Sequence, residues 1–391
     1  MNRGQSPWAA GILRTMLLAD PEDAALPRPD ELSAYRETLD DTELVLLAQQ
    51  LIAVGRSAEA LEVCRRAPTP SSVRGLRLCE ARTLFGLGEA DAAFRILETL
   101  LASEPRDSLA AFYKAQLLAQ SGKNIEARAA LRELVGATPD FPGALPLLAQ
   151  LTLPGPPYRE VLRRIHEWLR PHAYLEIGVE HGSTLQLAVH SQLVCGVDPV
   201  PRRIPHRLPA GTRLFHVTSD AFFASDVPGE LFGSAPLDLA FIDGMHLFEF
   251  TLRDFANVER WCHAGSTVVL HDCLPVAEVA ASRERRTSFW VGDCWKALEC
   301  LLRERPGLRI SIVPCYPSGL VVIQRLDPKS ALSEERLAAL HQQYLSLPYP
   351  DSFNSWPAHY PLESNHDPEL SLFISSLARS GPSSTGRGER A

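Results

Sequence analysis

The amino-acid sequence predicts a two-part α/β protein: an all-α repeat followed by a seven-stranded, doubly wound sheet that ends in an antiparallel strand pair. Three observations support this fold class. Small residues recur with a period of 33–34 residues between positions 41 and 150. After residue 158, short apolar segments alternate with helical ones. The last two apolar segments are joined only by Pro314-Cys-Tyr-Pro-Ser318, which is too short for a helical crossover.

Length and composition limit the classes of function. A chain of 391 residues favours two domains, and a net charge of -8 argues against a nucleic-acid partner. No apolar run reaches the roughly 18 residues of a membrane span. The apolar patch Trp8–Leu18 is interrupted by Arg14 and does not resemble a signal peptide. The eight cysteines form no C-x-x-C pair, so reduced, buried thiols are expected. We therefore expect a cytoplasmic protein without a membrane partner.

The first part of the chain carries a repeat after an irregular lead-in over residues 1–40. Each unit has an alanine, a glycine seven residues later, a second alanine and a closing proline. These columns are Ala48, Ala81 and Ala115; Gly55, Gly88 and Gly122; Ala60, Ala93 and Ala127; and Pro68, Pro105 and Pro139. The pattern over residues 41–153 resembles the tetratricopeptide repeat, which implies a curved solenoid with a surface for a protein partner. An ordinary helical bundle is the alternative.

A different pattern begins after Pro154-Gly-Pro-Pro157, where a helix over 158–169 is predicted. Near-continuous apolar segments indicate buried parallel strands at 173–178, 193–198, 213–218, 237–242, 266–271, 308–313 and 319–324. Helices are predicted between them at 183–191, 246–261 and 291–304. A C-terminal extension over 327–391 contains one further predicted helix, 332–345, and a disordered end.

The stretch Tyr174–Thr184 carries the most specific motif. A strand ends in Glu176, and Gly178 and Gly182 then form a turn that opens a helix. Only glycine lets a ligand approach the main chain so closely. The next strand ends in Asp198, about twenty residues beyond the first glycine, where an acid can accept both hydroxyls of a ribose. The sequence therefore predicts a cofactor that contains a nucleoside.

Residues 158–326 resemble the class I S-adenosylmethionine-dependent methyltransferases, particularly bacterial small-molecule O-methyltransferases. Leu175–Thr184 corresponds to the family's motif E/D-x-G-x-x-x-G. The resemblance implies that Glu176 and the glycine turn contact the amino-acid end of S-adenosylmethionine, that Asp198 holds the ribose, and that Ser219 and Asp220 contact adenine. A plain α/β turn is the alternative for the glycines, and a helix N-cap for Asp220. The motif G-x-G-x-x-G of nicotinamide-dependent oxidoreductases is absent.

Two further strand ends carry reactive groups. Asp243 and His246 follow the fourth predicted strand, and His271 and Asp272 end the fifth, at the edge where open α/β sheets bind ligands. The resemblance to metal-dependent O-methyltransferases implies that Asp243 and Asp272 bind a divalent cation such as Mg²⁺. Cys273 departs from the family pattern, in which an Asn or Asp often completes the site. Because a thiol is a poor ligand for a hard cation, this residue argues against metal dependence. Without a metal, His246 or His271 is the natural general base, since its unperturbed pKa lies near neutrality.

These observations predict an S-adenosylmethionine-dependent methyltransferase. Its acceptor is expected to be a small molecule or saccharide methylated on oxygen, its catalytic residues Asp243, His246 and His271, and its repeats an interaction module. The alternative is a scaffold protein whose α/β domain is degenerate. Cys273 favours that alternative, whereas the Glu176, Gly178, Gly182 and Asp198 set disfavours it. We also expect that a bulky residue at Gly178 abolishes cofactor binding with little loss of fold.

Overall fold

The computed structural model describes residues 39–65, 73–202, 204, 208–350 and 359–377. The described residues divide into two compact units: the first ends at Ala144 and the second begins at Leu145. Most of the predicted lead-in and the predicted disordered end lie outside the described residues. None of the helices within these ranges is long and apolar enough to cross a membrane.

The N-terminal unit is a succession of helix pairs. Its helices are α1 (Asp41–Ala53), α2 (Ser57–Arg65), α3 (Val73–Gly86), α4 (Ala90–Ser103), α5 (Ser108–Gln120) and α6 (Asn124–Ala137), and α7 (Ala144–Thr152) follows. The two helices of each pair meet at a glycine with positive φ: Gly55 at 78°, Gly88 at 87° and Gly122 at 76°. Other residues rarely adopt this conformation, which explains the periodic glycine.

The alanine columns of the repeat form the packing surface inside each pair. Ala48, Ala60, Ala81, Ala93, Ala115 and Ala127 are all fully buried. Small side chains at these places let the two helix backbones approach closely. The predicted repeat of helix, glycine turn and helix is therefore present, although Pro68 lies outside the described residues.

The second unit is built around a single mixed sheet. Its strands are β1 (Ala173–Ile177), β2 (Leu193–Val197), β3 (Thr212–Phe215), β4 (Leu237–Ile242), β5 (Cys262–His271), β6 (Arg309–Val313) and β7 (Leu320–Gln324). The seven strands lie in the order β3-β2-β1-β4-β5-β7-β6. β7 runs antiparallel to β6, as predicted, and also to β5, while the other neighbours pair in parallel.

Strand register brings the motif residues to one edge of the sheet. Ile177 pairs with Ile242, and Ile242 pairs with Leu270, so the residues that follow β1, β4 and β5 come together. Because β7 is antiparallel, its first residue, Leu320, pairs with His271 at the end of β5. The connection before β7 therefore reaches the same edge. If β7 were parallel to β5, its last residue and not its first would lie there.

Further helices accompany the strands of this unit. They are α8 (Tyr158–Leu169), α9 (Ser219–Phe223), α10 (Val227–Phe232), α11 (Phe248–Glu259), α12 (Trp295–Glu304), α13 (Glu334–Tyr344) and α14 (Glu369–Leu377). The helix predicted over 183–191 is only a 3₁₀ turn, Leu185–Leu187. The backbone N–H groups of Gln192 and Leu193 both donate to the carbonyl of His172 at 2.9 and 3.0 Å, so the chain returns to the sheet before a helix can extend.

The C-terminal segment completes this unit. Ile312 N donates to Pro361 O at 2.9 Å, and Glu363 N donates back to Ile312 O at 2.8 Å, so the segment pairs with β6. The apolar residues Leu370, Phe373, Ile374 and Leu377 of α14 belong to the core under the sheet. All eight cysteines of the chain are buried and unpaired, consistent with the expected reduced thiols.

Candidate active site at the carboxyl edge of the sheet

The turn after β1 is tied to the loop after β2 by Asp198. One carboxylate oxygen of Asp198 accepts from Glu180 N and the other from Val200 N, each at 2.8 Å. Gly178 and Gly182 have φ of 87° and 67° in this turn. The structure thus brings together three of the residues predicted to bind the cofactor. Their contacts with it stay predictions.

Gly178 is required by the neighbouring strand. A Cβ at this position would lie 1.9 Å from the carbonyl oxygen of Asp243 and 2.5 Å from its carbonyl carbon. The expectation that a bulky residue here would spare the fold is therefore revised, because backbone at the end of β4, and not open ligand space, faces this glycine.

Glu176 lies beneath the turn. Its side chain is fully buried, with one oxygen accepting from Thr184 Oγ1 at 2.8 Å and the other from the Tyr174 hydroxyl at 2.7 Å. Burial raises the pKa of this carboxyl to about 8, although the two hydroxyls favour its charged form. Glu176 therefore supports the turn through Tyr174 and Thr184, two residues that the motif contains but that we did not single out. Its contact with the cofactor stays a prediction.

The raised pKa of Glu176 makes a prediction about stability. The folded state binds this proton more tightly than the unfolded chain, so the contribution is complete below pH about 4.5 and is lost as the pH rises through about 8. We expect Glu176→Gln to flatten the fall in unfolding free energy over this range by up to about 1.4 kcal/mol per pH unit. Urea unfolding at several pH values measures this slope. Asp254, whose pKa burial raises to about 7, leaves a residual slope of the same sign. An unaltered slope in the Glu176 variant would show that its pKa is ordinary.

The residues predicted to contact adenine lie at the start of α9. The helix cap is Thr218, whose hydroxyl accepts from Ala221 N at 3.2 Å, and not Asp220. Asp220 instead forms a two-pronged ion pair with Arg253, at 2.6 and 2.7 Å. Ser219 bonds to the buried carboxyl of Asp254. Both adenine contacts stay predictions, and Arg253 and Asp254 are neighbours that the motif did not reveal.

Four titratable side chains meet where β4 and β5 end. The side chains of Asp243 and His246 are 20% and 26% exposed, whereas those of His271 and Asp272 are each 6% exposed. The first pair can therefore face a substrate, and the second pair lies behind it. The structure brings all three predicted catalytic residues and both predicted metal ligands into this one cluster.

His246 lies between the two carboxylates. Its Nδ1 is 2.6 Å from Asp272 Oδ2, and its Nε2 is 3.7 Å from Asp243 Oδ1. The ring stacks on Trp290, with centroids 5.6 Å apart and planes inclined by 22°. The backbone of His246 has a φ of 58°, which ends any helix here and lets α11 begin only at Phe248.

His271 joins the two acids from behind. Its Nδ1 lies 3.0 Å from Asp243 Oδ1 and 3.4 Å from Asp272 Oδ1. Ser318, in the connection before β7, donates its hydroxyl to Asp272 Oδ1 and lies 3.4 Å from His271 Nε2. The ring of Tyr158 packs 4.2 Å from that of His271. Sequence analysis missed Tyr158 and Ser318, because neither belongs to a motif.

The charges of this cluster are strongly coupled. Burial lowers the pKa of His246, but the carboxylates of Asp272 and Asp243 outweigh it and raise the value to about 9. The pKa of His271 is raised for the same reason, again against burial. The pKa of Asp272 is lowered to about 2, because the two histidines outweigh its burial. His246 is therefore mostly charged at neutral pH, and the pKa of His271 is shifted in the same direction, so neither ring keeps the unperturbed pKa on which the sequence argument relied.

The segment 288–294, just before α12, contributes one residue to helix capping and another to the candidate active site. Asp293 is buried and accepts from Phe248 N at 2.8 Å, so it caps α11. Arg283 donates to Asp293 at 2.9 Å and to Glu249 at 2.7 and 2.9 Å. Of this segment, Trp290 is the residue that reaches the candidate active site, through its stack on His246.

The cluster can be tested for the Mg²⁺ that the resemblance implied. Asp243, His246 and Asp272 each offer a ligand atom within 4.8 Å of the others. However, neighbouring ligands of an octahedral Mg²⁺ at 2.0–2.1 Å must lie roughly 2.9 Å apart, and His246 Nδ1 is already 2.6 Å from Asp272 Oδ2. Cys273 is buried with its thiol donating to His271 O at 3.3 Å, so it supplies no further ligand. As arranged, these residues do not fit Mg²⁺.

Comparison with known proteins agrees with this fold. Residues 175–273 match the family model of a methyltransferase domain, and residues 79–142 match a tetratricopeptide repeat. A class I methyltransferase domain preceded by tetratricopeptide-like repeats is thereby confirmed.

Two solved structures are similar to about half of the chain. Cofactor-bound Rv0187 from MTB is 16% identical, with a TM-score of 0.34, covering 49% of this chain and 94% of its own. The SAH-bound methyltransferase PaMTH1 of Podospora anserina is 13% identical, with a TM-score of 0.33, covering 51% of this chain and 88% of its own. These low TM-scores add nothing further about the fold. No curated protein sequence matches the chain significantly.

Proposed function

We propose that this chain, which joins tetratricopeptide repeats to a class I methyltransferase domain, transfers the methyl group of S-adenosylmethionine to a hydroxyl of a small-molecule or saccharide acceptor. The observation that carries the proposal is the His246–Asp272 pair. This pair lies at the carboxyl edge of the sheet, and so does the glycine turn after β1.

The cofactor side of the proposal is supported by the turn and by Asp198. Backbone N–H groups of the turn and a ribose-binding acid would hold S-adenosylmethionine across this edge, as in other class I methyltransferases. The bound sulfonium supplies an activated methyl group. Asp198 is half-buried and fixed by two backbone donors, so it presents its carboxylate in one orientation. We assign the adenine contacts to Ser219 and Asp220.

The acceptor side rests on a base with an orienting acid. In neutral His246, we assign the ring proton to Nδ1, 2.6 Å from Asp272 Oδ2, so that Nε2 can accept the proton of the acceptor hydroxyl. Bound S-adenosylmethionine would supply the methyl group to this oxygen, with its sulfur keeping the electron pair of the broken carbon–sulfur bond. Asp272 and Asp243 stabilise the imidazolium that forms. His271 holds both acids in place from behind.

The surroundings of the base suit a ring-shaped acceptor. Met245 is 60% exposed beside His246, and Trp290 stacks on the histidine ring. Apolar surface next to a polar cluster is typical of sites for small molecules. We further propose that the repeats bind a protein partner and that the protein acts in the cytoplasm.

Binding and turnover test the two halves separately. Calorimetry with S-adenosylmethionine reports the cofactor site, and transfer of a labelled methyl group to small molecules of a cell extract reports the reaction. Failure to bind at high micromolar concentration would favour the scaffold alternative. Labelled product from the wild type, absent with His246→Ala, would support the proposed base.

The pKa of His246 predicts how turnover depends on pH. Because only the neutral ring can accept a proton, kcat/KM should rise about tenfold per pH unit from neutrality until it levels off near the pKa of about 9. Initial rates in matched buffers measure the profile. A profile that is flat from pH 7 to 9 would assign the proton transfer to Asp243.

A further inference from the structure

The space between Asp243 and Asp272 is filled by a side chain of the protein itself. The imidazole of His246 lies between them, with Nδ1 2.6 Å from Asp272 Oδ2 and Nε2 3.7 Å from Asp243 Oδ1. We propose that this imidazole occupies the place that a divalent cation would need, so that the site works without a metal ion. This proposal rests on the proposed function for the location of the active site. It adds that the imidazole of His246, and not a metal ion, lies between the two acids.

The ring is held where it is from two sides. Trp290 stacks on one face. A Cβ at Gly292 would lie 1.7 Å from the carbonyl oxygen of His246, so the chain after Trp290 presses directly on the backbone that carries the ring. Indole stacking and backbone contact together oppose a swing of His246 out of the cluster.

The acids are also occupied by other donors of the chain. Ser318 donates to Asp272 Oδ1, and His271 Nδ1 lies 3.0 Å from Asp243 Oδ1. A cation between the carboxylates would have to displace His246 and compete with these contacts. Mg²⁺ demands near-ideal octahedral geometry and accommodates such crowding poorly.

Cys273 fits the same interpretation. It directly follows Asp272, but its thiol is fully buried and donates to His271 O at 3.3 Å. Cys273 therefore adds no oxygen ligand for a hard cation beside the two acids.

Removal of the imidazole should open the site to a cation. Glycine is the suitable replacement, because the φ of 58° at His246 favours it and the fold should be kept. In a Mn²⁺ titration of the full chain followed by electron paramagnetic resonance, we expect at most weak, non-stoichiometric binding by the wild type. We expect His246→Gly to bind at least roughly tenfold more tightly, the scale on which neighbouring groups change metal affinity.

A second variant identifies the ligands. Adding Asp243→Asn to His246→Gly should abolish the gained binding, because one of the two acids is removed. Stoichiometric Mn²⁺ binding by the wild type would overturn the proposal, as would a folded His246→Gly variant that binds no Mn²⁺. Since the readout is metal binding, a wild type that binds neither acceptor nor S-adenosylmethionine would refute the proposed function without affecting this result.

Discussion

Replacement of His246 by alanine should lower kcat by about 10²–10⁴-fold, the usual contribution of a general base. Affinity for S-adenosylmethionine should change little, because the proposed cofactor contacts are made by other residues, those of the turn after β1 and Asp198. The fall in kcat is expected because Nε2 is lost as the proton acceptor. Asp272, whose Oδ2 lies 2.6 Å from Nδ1 in the wild type, then has no ring to orient. Steady-state kinetics with calorimetry of cofactor binding measures both quantities.

The chain offers a matched control for this variant. His263 also pairs with an aspartate, its Nε2 lying 3.0 Å from Asp238 Oδ1, but it stands near the start of β5, away from the candidate site. His263→Ala should therefore leave kcat unchanged. Added imidazole should restore part of the activity of His246→Ala only. Equal losses in the two variants would argue that His246 matters for folding and not for proton transfer.

Replacement of Gly178 by valine should destabilise the α/β unit by about 3–5 kcal/mol or prevent its folding, the range of the most damaging substitutions. The new Cβ would have to lie 1.9 Å from Asp243 O, and backbone cannot yield as a flexible side chain can. A φ of 87° adds strain for any residue with a Cβ. Thermal and urea unfolding measure the loss.

Gly229 supplies the control for that experiment. It lies in α10, where a Cβ would meet only the Trp261 ring at an ordinary 3.7 Å. Gly229→Ala should be neutral or slightly stabilising, because alanine is the better helix former. If Gly178→Val instead folds with native stability and loses only cofactor binding, the space beside Gly178 belongs to the ligand after all.

Local pattern was sufficient for most of the fold. The strand segments were predicted within a few residues because buried parallel strands are short, apolar and separated by turns, and the repeat because glycine alone tolerates φ near 80°. The helix predicted over 183–191 was wrong in length and type, because only a 3₁₀ turn over Leu185–Leu187 forms. An amphipathic pattern does not reveal that the chain is pulled back to the sheet by the carbonyl of His172.

Local sequence pattern predicted only some of the residues of the candidate active site. Asp243, His246, His271 and Asp272 could be found because each stands at a predicted strand end. Ser318 could not, since it reaches the cluster only through the antiparallel direction of β7. Tyr158 reaches it from a helix that comes before the first strand.

By itself, the sequence determined the two-part architecture, the order of strands and helices, and the strand ends where chemistry can occur. These follow from periodicity and from residue types that a local conformation requires. Only the tertiary structure decided that Gly178 serves the neighbouring strand, that His246 is charged at neutral pH, and that its ring lies between the two acids. Each of these depends on distances between residues far apart in the chain, which strand register and burial set and which no local pattern contains.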